Sequence, residues 1–228
     1  PLDELIPELI LRNIKYCRRF IDPTVREPVS RYVIDYTAQI SIRRMIDRLN
    51  QSLDDETIVI ADIGDSLFAS TRLRTQGRTE FLSPAYYTSM GFSIPATLGA
   101  QTAMPDHRVI TICGDGAFQM TCLELSTIVR RGLSPIVIVL DNGGYGTERA
   151  LHPGNWGYNE IHRWSYGELT RVIGGGISHR IRTEEDFDKA LKAALADTTN
   201  MHLLHVEIDR RDASETLTRL ADKMSSRV

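Results

Sequence analysis

The fold of this chain is decided by residues 108–142, which read RVITICGDGAFQMTCLELSTIVRRGLSPIVIVLDN. Two apolar runs in this stretch have the length of buried strands, and the residues between them, 117–131, have helical spacing. Asp115 stands at the end of the first run, and Asn142 directly follows the second run. The pattern predicts a β-α-β unit with both polar side chains at the carboxyl edge of a parallel sheet, where such sheets bind ligands.

Strands and helices alternate on both sides of this unit. The strands are apolar on both faces, which predicts an α/β fold with a mainly parallel, doubly wound sheet and helices on both faces. The expected strands are 57–63, 79–82, 108–113, 135–140, 177–181 and 202–208. The expected helices are one that begins with Ser41 as its N-cap, followed by 66–71, 92–103, 117–131, 165–173, 184–196 and 213–224.

The composition is that of a soluble globular protein, with 42% hydrophobic and 25% charged residues. A net charge of −3 gives no basic surface, so we expect no nucleic-acid partner. No apolar stretch approaches the length of a membrane span, so we expect no membrane partner. The three cysteines are odd in number and lack the C-x-x-C spacing, which favours reduced thiols and a cytoplasmic location.

The beginning of the chain differs from the rest. Residues 1–35 combine an apolar helical stripe with a proline-punctuated segment, and we expect them to be the tail of a preceding domain and a linker. Residues 36–228 would then form one domain. Because the chain begins at Pro1, we also expect it to be a processed product or a fragment of a longer polypeptide.

Two short polar motifs at the strand ends carry the chemistry. A carboxylate from Asp115 and a carboxamide from Asn142, among glycines that let the backbone approach closely, suit a hard divalent cation that itself holds phosphate. The alternative is that both motifs are only tight turns, because Asp, Asn and Gly all favour turns.

The paired motif resembles the diphosphate-binding domain of thiamine diphosphate enzymes, in which G-D-G, a helix and N-x-G follow one another. The residues after the second strand, GGYGTE at 143–148, HP at 152–153, YNEI at 158–161 and Trp164, are similar to the pyruvate and indolepyruvate decarboxylase branch. The resemblance extends from about residue 57 to the C-terminus. It implies the C-terminal domain of a thiamine diphosphate- and Mg²⁺-dependent 2-oxo acid decarboxylase, which forms an aldehyde and CO₂.

The resemblance also implies which residues form the site. Asp115 and Asn142 would give side-chain oxygens to Mg²⁺, and Gly144 would give its main-chain carbonyl. The cofactor-binding residues would be Gly64, Ser66, Thr88, Met90, Gly114, Gly116, Ala117, Asn142, Gly144, Tyr145, Gly146 and Thr147.

The resemblance also implies a specific role for several of these residues. The amides of Gly116 and Ala117 open a helix and would point at the phosphates. Met90 would wedge between the two rings of the cofactor, although on spacing alone a Met here is more often a core residue. The carbonyl of Thr88 would accept a hydrogen bond from the 4′-amino group of the cofactor.

Glu148 is the expected catalytic residue, because the resemblance places its carboxylate at the reacting carbon. A partly dry pocket beside other acids would raise its pKa and suit it for proton transfer. The alternative is a Glu that the helix dipole favours in the first turn of a short helix. Asp65 is expected to be the N-cap of the next helix. Thr147 replaces an aliphatic residue of the family, which leaves the substrate preference open.

The family activates its cofactor with a glutamate on a separate pyrimidine-binding domain, for which this chain has no room. We therefore expect that domain, from the same or another chain, as a partner, together with a homodimer or homotetramer, and we expect this chain alone to be inactive. Three alternatives remain. They are a carboligase of the acetolactate synthase type, a non-catalytic thiamine diphosphate-fold domain, and a Rossmann nucleotide-binding module, which the lack of G-x-G-x-x-G disfavours.

Overall fold

The computed structural model describes residues 31–74 and 80–225, and these contain one six-stranded sheet. The strand order is β2-β1-β3-β4-β6-β5, and every neighbouring pair is parallel. The strands are β1 (Thr57–Ala61), β2 (Glu80–Leu82), β3 (Arg108–Gly114), β4 (Ile136–Asp141), β5 (Ile177–Ile181) and β6 (His202–Glu207). The α/β class and the parallel sheet predicted from the sequence are confirmed.

Helices connect the strands in the described ranges. They are α1 (Ile42–Leu49), α2 (Asp65–Ser70), α3 (Ser93–Ala103), α4 (Asp115–Thr121), α5 (Leu125–Arg130), α6 (Gly146–Leu151), α7 (Leu169–Ile173), α8 (Glu184–Ala196) and α9 (Glu215–Ser225). Short 3₁₀ turns lie at Cys122–Glu124, Gly157–Asn159 and Tyr166–Glu168. As predicted, Ser41 is the N-cap of α1, and its side chain accepts a hydrogen bond from the backbone N–H of Arg44.

The central strand β4 shows why the sheet is covered on both sides. All six of its residues are buried, and the apolar ones alternate between two cores. Ile138 packs with Met45 of α1 and Phe187 of α8 on one face. Val139 packs with Phe118 of α4 on the other face. Successive strand residues point to opposite faces, so a strand that is apolar throughout requires helices on both.

The predicted helix at 117–131 is wrong in one respect, because the structure divides it into α4, a 3₁₀ turn and α5. The helix begins at Asp115, and Thr121, with φ −137° and ψ 8°, leaves the helical region. The hydroxyl of Thr121 donates to the carbonyl of Gly91 at 2.8 Å. The predicted helix at 165–173 likewise consists of a 3₁₀ turn followed by α7.

The boundary between a preceding segment, 1–35, and a cofactor-binding domain, 36–228, stays a prediction, because residues 1–30 lie outside the described ranges. Among the helices of those ranges, none has both the length and the apolar character needed to cross a membrane.

Candidate functional site

A cavity of about 510 Å³ lies at the carboxyl ends of β1, β3, β4 and β6. Every residue that the sequence analysis proposed for the site lines this cavity, and their individual roles remain predictions. They are Gly64, Ser66, Thr88, Met90, Gly114, Asp115, Gly116, Ala117, Asn142, Gly144, Tyr145, Gly146, Thr147 and Glu148.

Asp115 joins the two halves of the β3-α4-β4 unit. Its side chain is almost completely buried, with 1% of the residue exposed. One carboxylate oxygen, Oδ1, accepts from the N–H of Gly116 at 2.8 Å. The other, Oδ2, accepts from the N–H of Gly143 at 2.7 Å and of Gly144 at 3.1 Å. The carboxylate therefore fixes the turn after β3 against the loop after β4.

The pKa values of Asp115 and its neighbour Asp141 are shifted in opposite directions. Burial, and then the charge of Asp141, raise the pKa of Asp115 to about 7, although three backbone amides act in the opposite direction. Burial would also raise the pKa of Asp141, but a hydrogen bond from His205 and the charge of Arg163 outweigh it and hold that pKa below its ordinary value. Of the two acids, Asp115 therefore has the higher pKa.

Asp141, His205 and Arg163 were not predicted as site residues. Nε2 of His205 lies 2.9 Å from Oδ2 of Asp141, and Nε of Arg163 lies 3.1 Å from Oδ1. The same Oδ1 accepts from the N–H of Gly143 at 3.2 Å. A charged residue at the end of a buried strand, directly before Asn142, was the available signal, but nothing in the sequence identifies its partners.

Asn142 and Gly144, in the loop after β4, both line the cavity. Oδ1 of Asn142 is buried and has no hydrogen-bond partner among the described residues. Gly144 has φ +153°, and a Cβ there would lie 2.0 Å from the carbonyl oxygen of Asn159 and 2.3 Å from Nη2 of Arg149. Only glycine fits this position, because any side chain would displace the backbone of the neighbouring segment.

Another residue that lines the cavity, Thr88, has a strained backbone conformation. Thr88 has φ +53°, a left-handed conformation that is rare for a β-branched residue and costs about 1–3 kcal/mol. Its N–H donates to the carbonyl of Pro84 at 2.8 Å. The turn that follows is held by the buried carboxylate of Asp62, which accepts from the N–H groups of Gly91 at 3.2 Å and Ser93 at 2.9 Å. Asp62, which the sequence analysis missed, thereby fixes this turn to the end of β1.

Met90 and Tyr145 come together above Gly116. A Cβ at Gly116 would lie 2.6 Å from Cε1 of Tyr145 and 3.6 Å from Cε of Met90. The start of α4 therefore needs glycine so that these two side chains can approach it.

Glu148 lies in the first turn of α6 and lines the cavity, but it is exposed. The partly dry surroundings expected for this carboxylate are not formed by the described residues alone. Thr147, the preceding residue, lies close to Gly64, where a Cβ would be 3.0 Å from the Thr147 hydroxyl oxygen.

The predicted N-cap role of Asp65 is wrong. The N-cap of α2 is Gly64, which has no side-chain capping bond, and Asp65 is the first residue of the helix. The Asp65 carboxylate accepts instead from the N–H of Ser214 at 2.7 Å and from the Ser214 hydroxyl. That hydroxyl in turn accepts from the N–H of Leu217 at 3.1 Å, so Asp65 connects α2 with the beginning of α9. Burial raises the pKa of Asp65.

Comparison with known proteins identifies the family. The family described as "Thiamine pyrophosphate enzyme, C-terminal TPP binding domain" matches residues 62–206. The chain is 35% identical over 181 residues to an alpha-keto-acid decarboxylase of Mycobacterium bovis (strain BCG / Pasteur 1173P2), covering 78% of this chain and 32% of that protein. It is 35% identical over 176 residues to the alpha-keto-acid decarboxylase of Mycolicibacterium paratuberculosis, covering 76% and 31%. For that of Mycobacterium ulcerans the identity is 33% over 181 residues, covering 78% and 32%.

The chain thus spans about a third of the length of these relatives. The match to the family covers β3, α4, α5 and β4 together with the loop that carries Asn142 and Gly144. This chain belongs to the family of C-terminal thiamine pyrophosphate-binding domains of thiamine pyrophosphate enzymes.

Proposed function

We propose that this chain is the diphosphate-binding domain of a thiamine diphosphate- and Mg²⁺-dependent decarboxylase that converts a 2-oxo acid into an aldehyde and CO₂. The observation that carries the proposal is that Asp115, Asn142 and Gly144 line the same cavity. The name alpha-keto-acid decarboxylase that the relatives bear supports the reaction.

The Mg²⁺ assignment is supported by the unpartnered oxygen of Asn142. A buried acceptor without a hydrogen bond costs about 1–3 kcal/mol, and a bound cation would remove that cost. Mg²⁺ prefers oxygen ligands in octahedral geometry. Asp115 would supply a carboxylate and Gly144 a main-chain carbonyl from the lining of the same cavity, so the donor set fits the ion.

Other residues that line the cavity would bind the diphosphate and the rings of the cofactor. The backbone N–H of Ala117, at the beginning of α4, would bind the diphosphate, whereas the N–H of Gly116 already donates to Asp115. Gly114 and Gly116, which carry no side chains, would leave room for the diphosphate beside it. Thr88 and Met90 would support the ring end. Gly64, Ser66, Tyr145, Gly146 and Thr147 would complete the cofactor-binding surface.

When bound, thiamine diphosphate supplies the electron sink that decarboxylation requires. The task of this chain is to orient the cofactor and to manage a proton. Glu148, at the edge of the cavity, would hold that proton beside the reacting carbon. Its exposure in this chain is consistent with a site that a second domain makes dry.

That second domain is, in our proposal, a pyrimidine-binding domain of the same or another chain, within a homodimer or homotetramer. Exposed side chains next to Thr88 support such a cover, with Tyr86 88% and Tyr87 81% exposed, and Met120 is 54% exposed beside Gly91. We expect the chain alone to be inactive.

A cytoplasmic location is part of the proposal. Cys113 and Cys122 are both free and buried, and burial raises the pKa of the Cys113 thiol, which makes it unreactive. Free buried thiols are consistent with a reducing compartment.

The test uses the full-length polypeptide that contains this chain. Asp115→Ala should abolish the Mg²⁺-dependent binding of thiamine diphosphate, measured by isothermal titration calorimetry. Removal of this carboxylate leaves the diphosphate charge poorly neutralised in a buried site. Asp106→Ala, which removes an exposed carboxylate, should bind like the wild type. Unchanged affinity in Asp115→Ala would show that the metal assignment is wrong.

A further inference from the structure

Arg149 lies on α6, but its guanidinium is turned back into the loop that precedes the helix. Its side chain is only 13% exposed. Nη1 donates to the carbonyl of Asn142 at 3.1 Å, and Nη2 donates to the carbonyl of Gly143 at 2.8 Å. Nε has no hydrogen-bond partner within the described ranges, so these contacts depend on the two terminal nitrogens.

The same guanidinium also reaches the segment that returns beside the loop. Nη2 lies 3.3 Å from the carbonyl oxygen of Asn159 and 3.3 Å from Oε1 of Glu160. The two segments are paired there, because the N–H of Tyr145 donates to the carbonyl of Asn159 at 2.9 Å and Gly144 forms an antiparallel bridge with Glu160. Arg149 therefore joins the loop to its neighbouring segment.

The opposite side of the loop is held by a carboxylate. Oδ2 of Asp115 accepts from the N–H groups of Gly143 and Gly144. Arg149 thus binds carbonyl groups of the loop while Asp115 binds its amides, and the peptide planes between them are fixed from both sides. The carbonyl of Gly144 accepts one hydrogen bond, from Gly146 at 3.0 Å, and keeps its second lone pair.

The oxygens that Arg149 does not bind are the ones assigned to Mg²⁺. They are Oδ1 of Asn142 and the carbonyl of Gly144. The loop contains two glycines at positive φ, Gly143 at 72° and Gly144 at 153°, so it would have many alternative conformations if nothing held it. Mg²⁺ requires near-ideal octahedral geometry, so a loose loop would bind it weakly.

We propose that Arg149 is a positioning residue that sets the geometry of the Mg²⁺ site by holding the main-chain carbonyls of Asn142 and Gly143. The proposal rests on the proposed function, because it concerns the same metal. A positioning role and a purely electrostatic effect of Arg149 predict opposite changes in Mg²⁺ affinity. A cation beside a cation site repels the metal, so the loss of the Arg149 charge alone would tighten Mg²⁺ binding. If positioning dominates, the loss of Arg149 weakens it.

The experiment compares Arg149→Met with Arg149→Lys in the full-length polypeptide. Mg²⁺ is titrated in the presence of saturating thiamine diphosphate, and binding is measured by calorimetry. Arg149→Met should weaken Mg²⁺ binding by about 10- to 100-fold, the usual effect of removing a group that orients metal ligands. Arg149→Lys should fall between Arg149→Met and the wild type, because an ammonium keeps the charge but lacks the planar fork.

Arg210→Met is the matched control. Arg210 donates to the same Glu160 carboxylate that Arg149 contacts, but within the described residues it does not bond to the carbonyls of Asn142 or Gly143. Mg²⁺ affinity in Arg210→Met should equal that of the wild type. Hydrogen exchange of the 142–145 amides, measured without ligands, should be faster in Arg149→Met and unchanged in Arg210→Met.

The outcomes separate the two proposals. If the wild type binds Mg²⁺ and Arg149→Met binds it equally or more tightly, the positioning role is overturned and the proposed function stands. If the wild type itself binds no Mg²⁺ with thiamine diphosphate, both are overturned. If Arg149→Met does not fold, Arg149→Lys decides: weaker binding than the wild type supports the positioning role, and equal binding overturns it.

Discussion

Replacement of Asp115 by Asn should stabilise the metal-free chain at neutral and alkaline pH. The pKa of this buried carboxyl is raised from its ordinary value of 3.8 to about 7. Each pH unit of difference corresponds to about 1.4 kcal/mol, so keeping Asp115 ionised above pH 7 costs the folded state about 4 kcal/mol. Asn removes that cost because it carries no charge.

The sign of the pH dependence follows from the proton count. Between about pH 4 and pH 7 the folded chain keeps a proton on Asp115 that the unfolded chain has lost. The contribution of Asp115 to the free energy of unfolding therefore falls as the pH rises through this window and is constant above it. Asn imitates the protonated form at every pH, so the variant lacks this slope.

The loss of one hydrogen bond makes the stabilisation by Asp115→Asn smaller. The carboxylate accepts from three backbone amides, those of Gly116, Gly143 and Gly144. An Asn side chain has one carbonyl oxygen, which can serve the Gly143 and Gly144 amides, while its NH₂ group then faces the N–H of Gly116. The lost bond costs about 1 kcal/mol. The net stabilisation should be about 3 kcal/mol near pH 8, and it should disappear or change sign near pH 4.

The measurement is urea unfolding of the wild type and Asp115→Asn in the presence of a chelator, from about pH 4 to pH 8.5. Asp106→Asn serves as the control, because Asp106 is exposed and its replacement should change the free energy of unfolding equally little at every pH. The quantity of interest is the difference between Asp115→Asn and the wild type at each pH. If that difference is the same at pH 4 and pH 8.5, Asp115 does not carry the proton, and the electrostatic account of the site is wrong.

Three further predictions concern Asp115, Glu148 and Gly144. Mg²⁺ affinity, measured by calorimetry with thiamine diphosphate present, should rise with pH up to about 7 and then level off, because Asp115 must lose its proton to bind the ion; a flat profile would contradict this. Glu148→Gln should lower kcat by about 10²-fold in steady-state assays and leave cofactor affinity nearly intact, whereas an equal loss of affinity would indicate a structural role. Gly144→Ala should lower the melting temperature and remove Mg²⁺ binding, because its Cβ would lie 2.0 Å from the carbonyl oxygen of Asn159. Gly99→Ala, whose Cβ would contact nothing within 4 Å inside α3, is the control and should be neutral or slightly stabilising; equal melting temperatures for both variants would refute the steric argument.

The fold could be predicted from the sequence because its central strands are apolar throughout. The predicted strand 135–140 differs from β4 by one residue at each end, and 177–181 and 184–196 agree with β5 and α8 at both ends. The division of the helix after Asp115 could not be predicted, because the spacing of the apolar residues is continuous across it. What accompanies the break is a contact of Thr121 with the distant carbonyl of Gly91.

Site residues that belong to a local sequence motif could be predicted. Hydrogen-bond partners that lie far away in the sequence could not. Asp115 and Asn142 stand at the ends of adjacent strands, so parallel pairing alone brings them together. Local reasoning assigned Asp65 to the cap of its own helix, but its partner Ser214 is 149 residues away in the sequence. The pairing of Asp141 with His205 is likewise invisible before the order of the strands is known.

Asp115 and Arg149 hold the loop after β4 from two sides, and their positions in the sequence bear on how this end of the sheet can fold. Both residues, and the loop they hold, belong to one continuous stretch from β3 to α6, whose two strands pair directly. Contacts of short sequence separation form at a small cost in loop closure. The half of the cavity that we propose to bind Mg²⁺ therefore needs only β3 and β4 to be paired, and neither β5 nor β6 contributes to it. His205 lies on β6, so the surroundings of Asp141 are complete only when β6 has paired with β4.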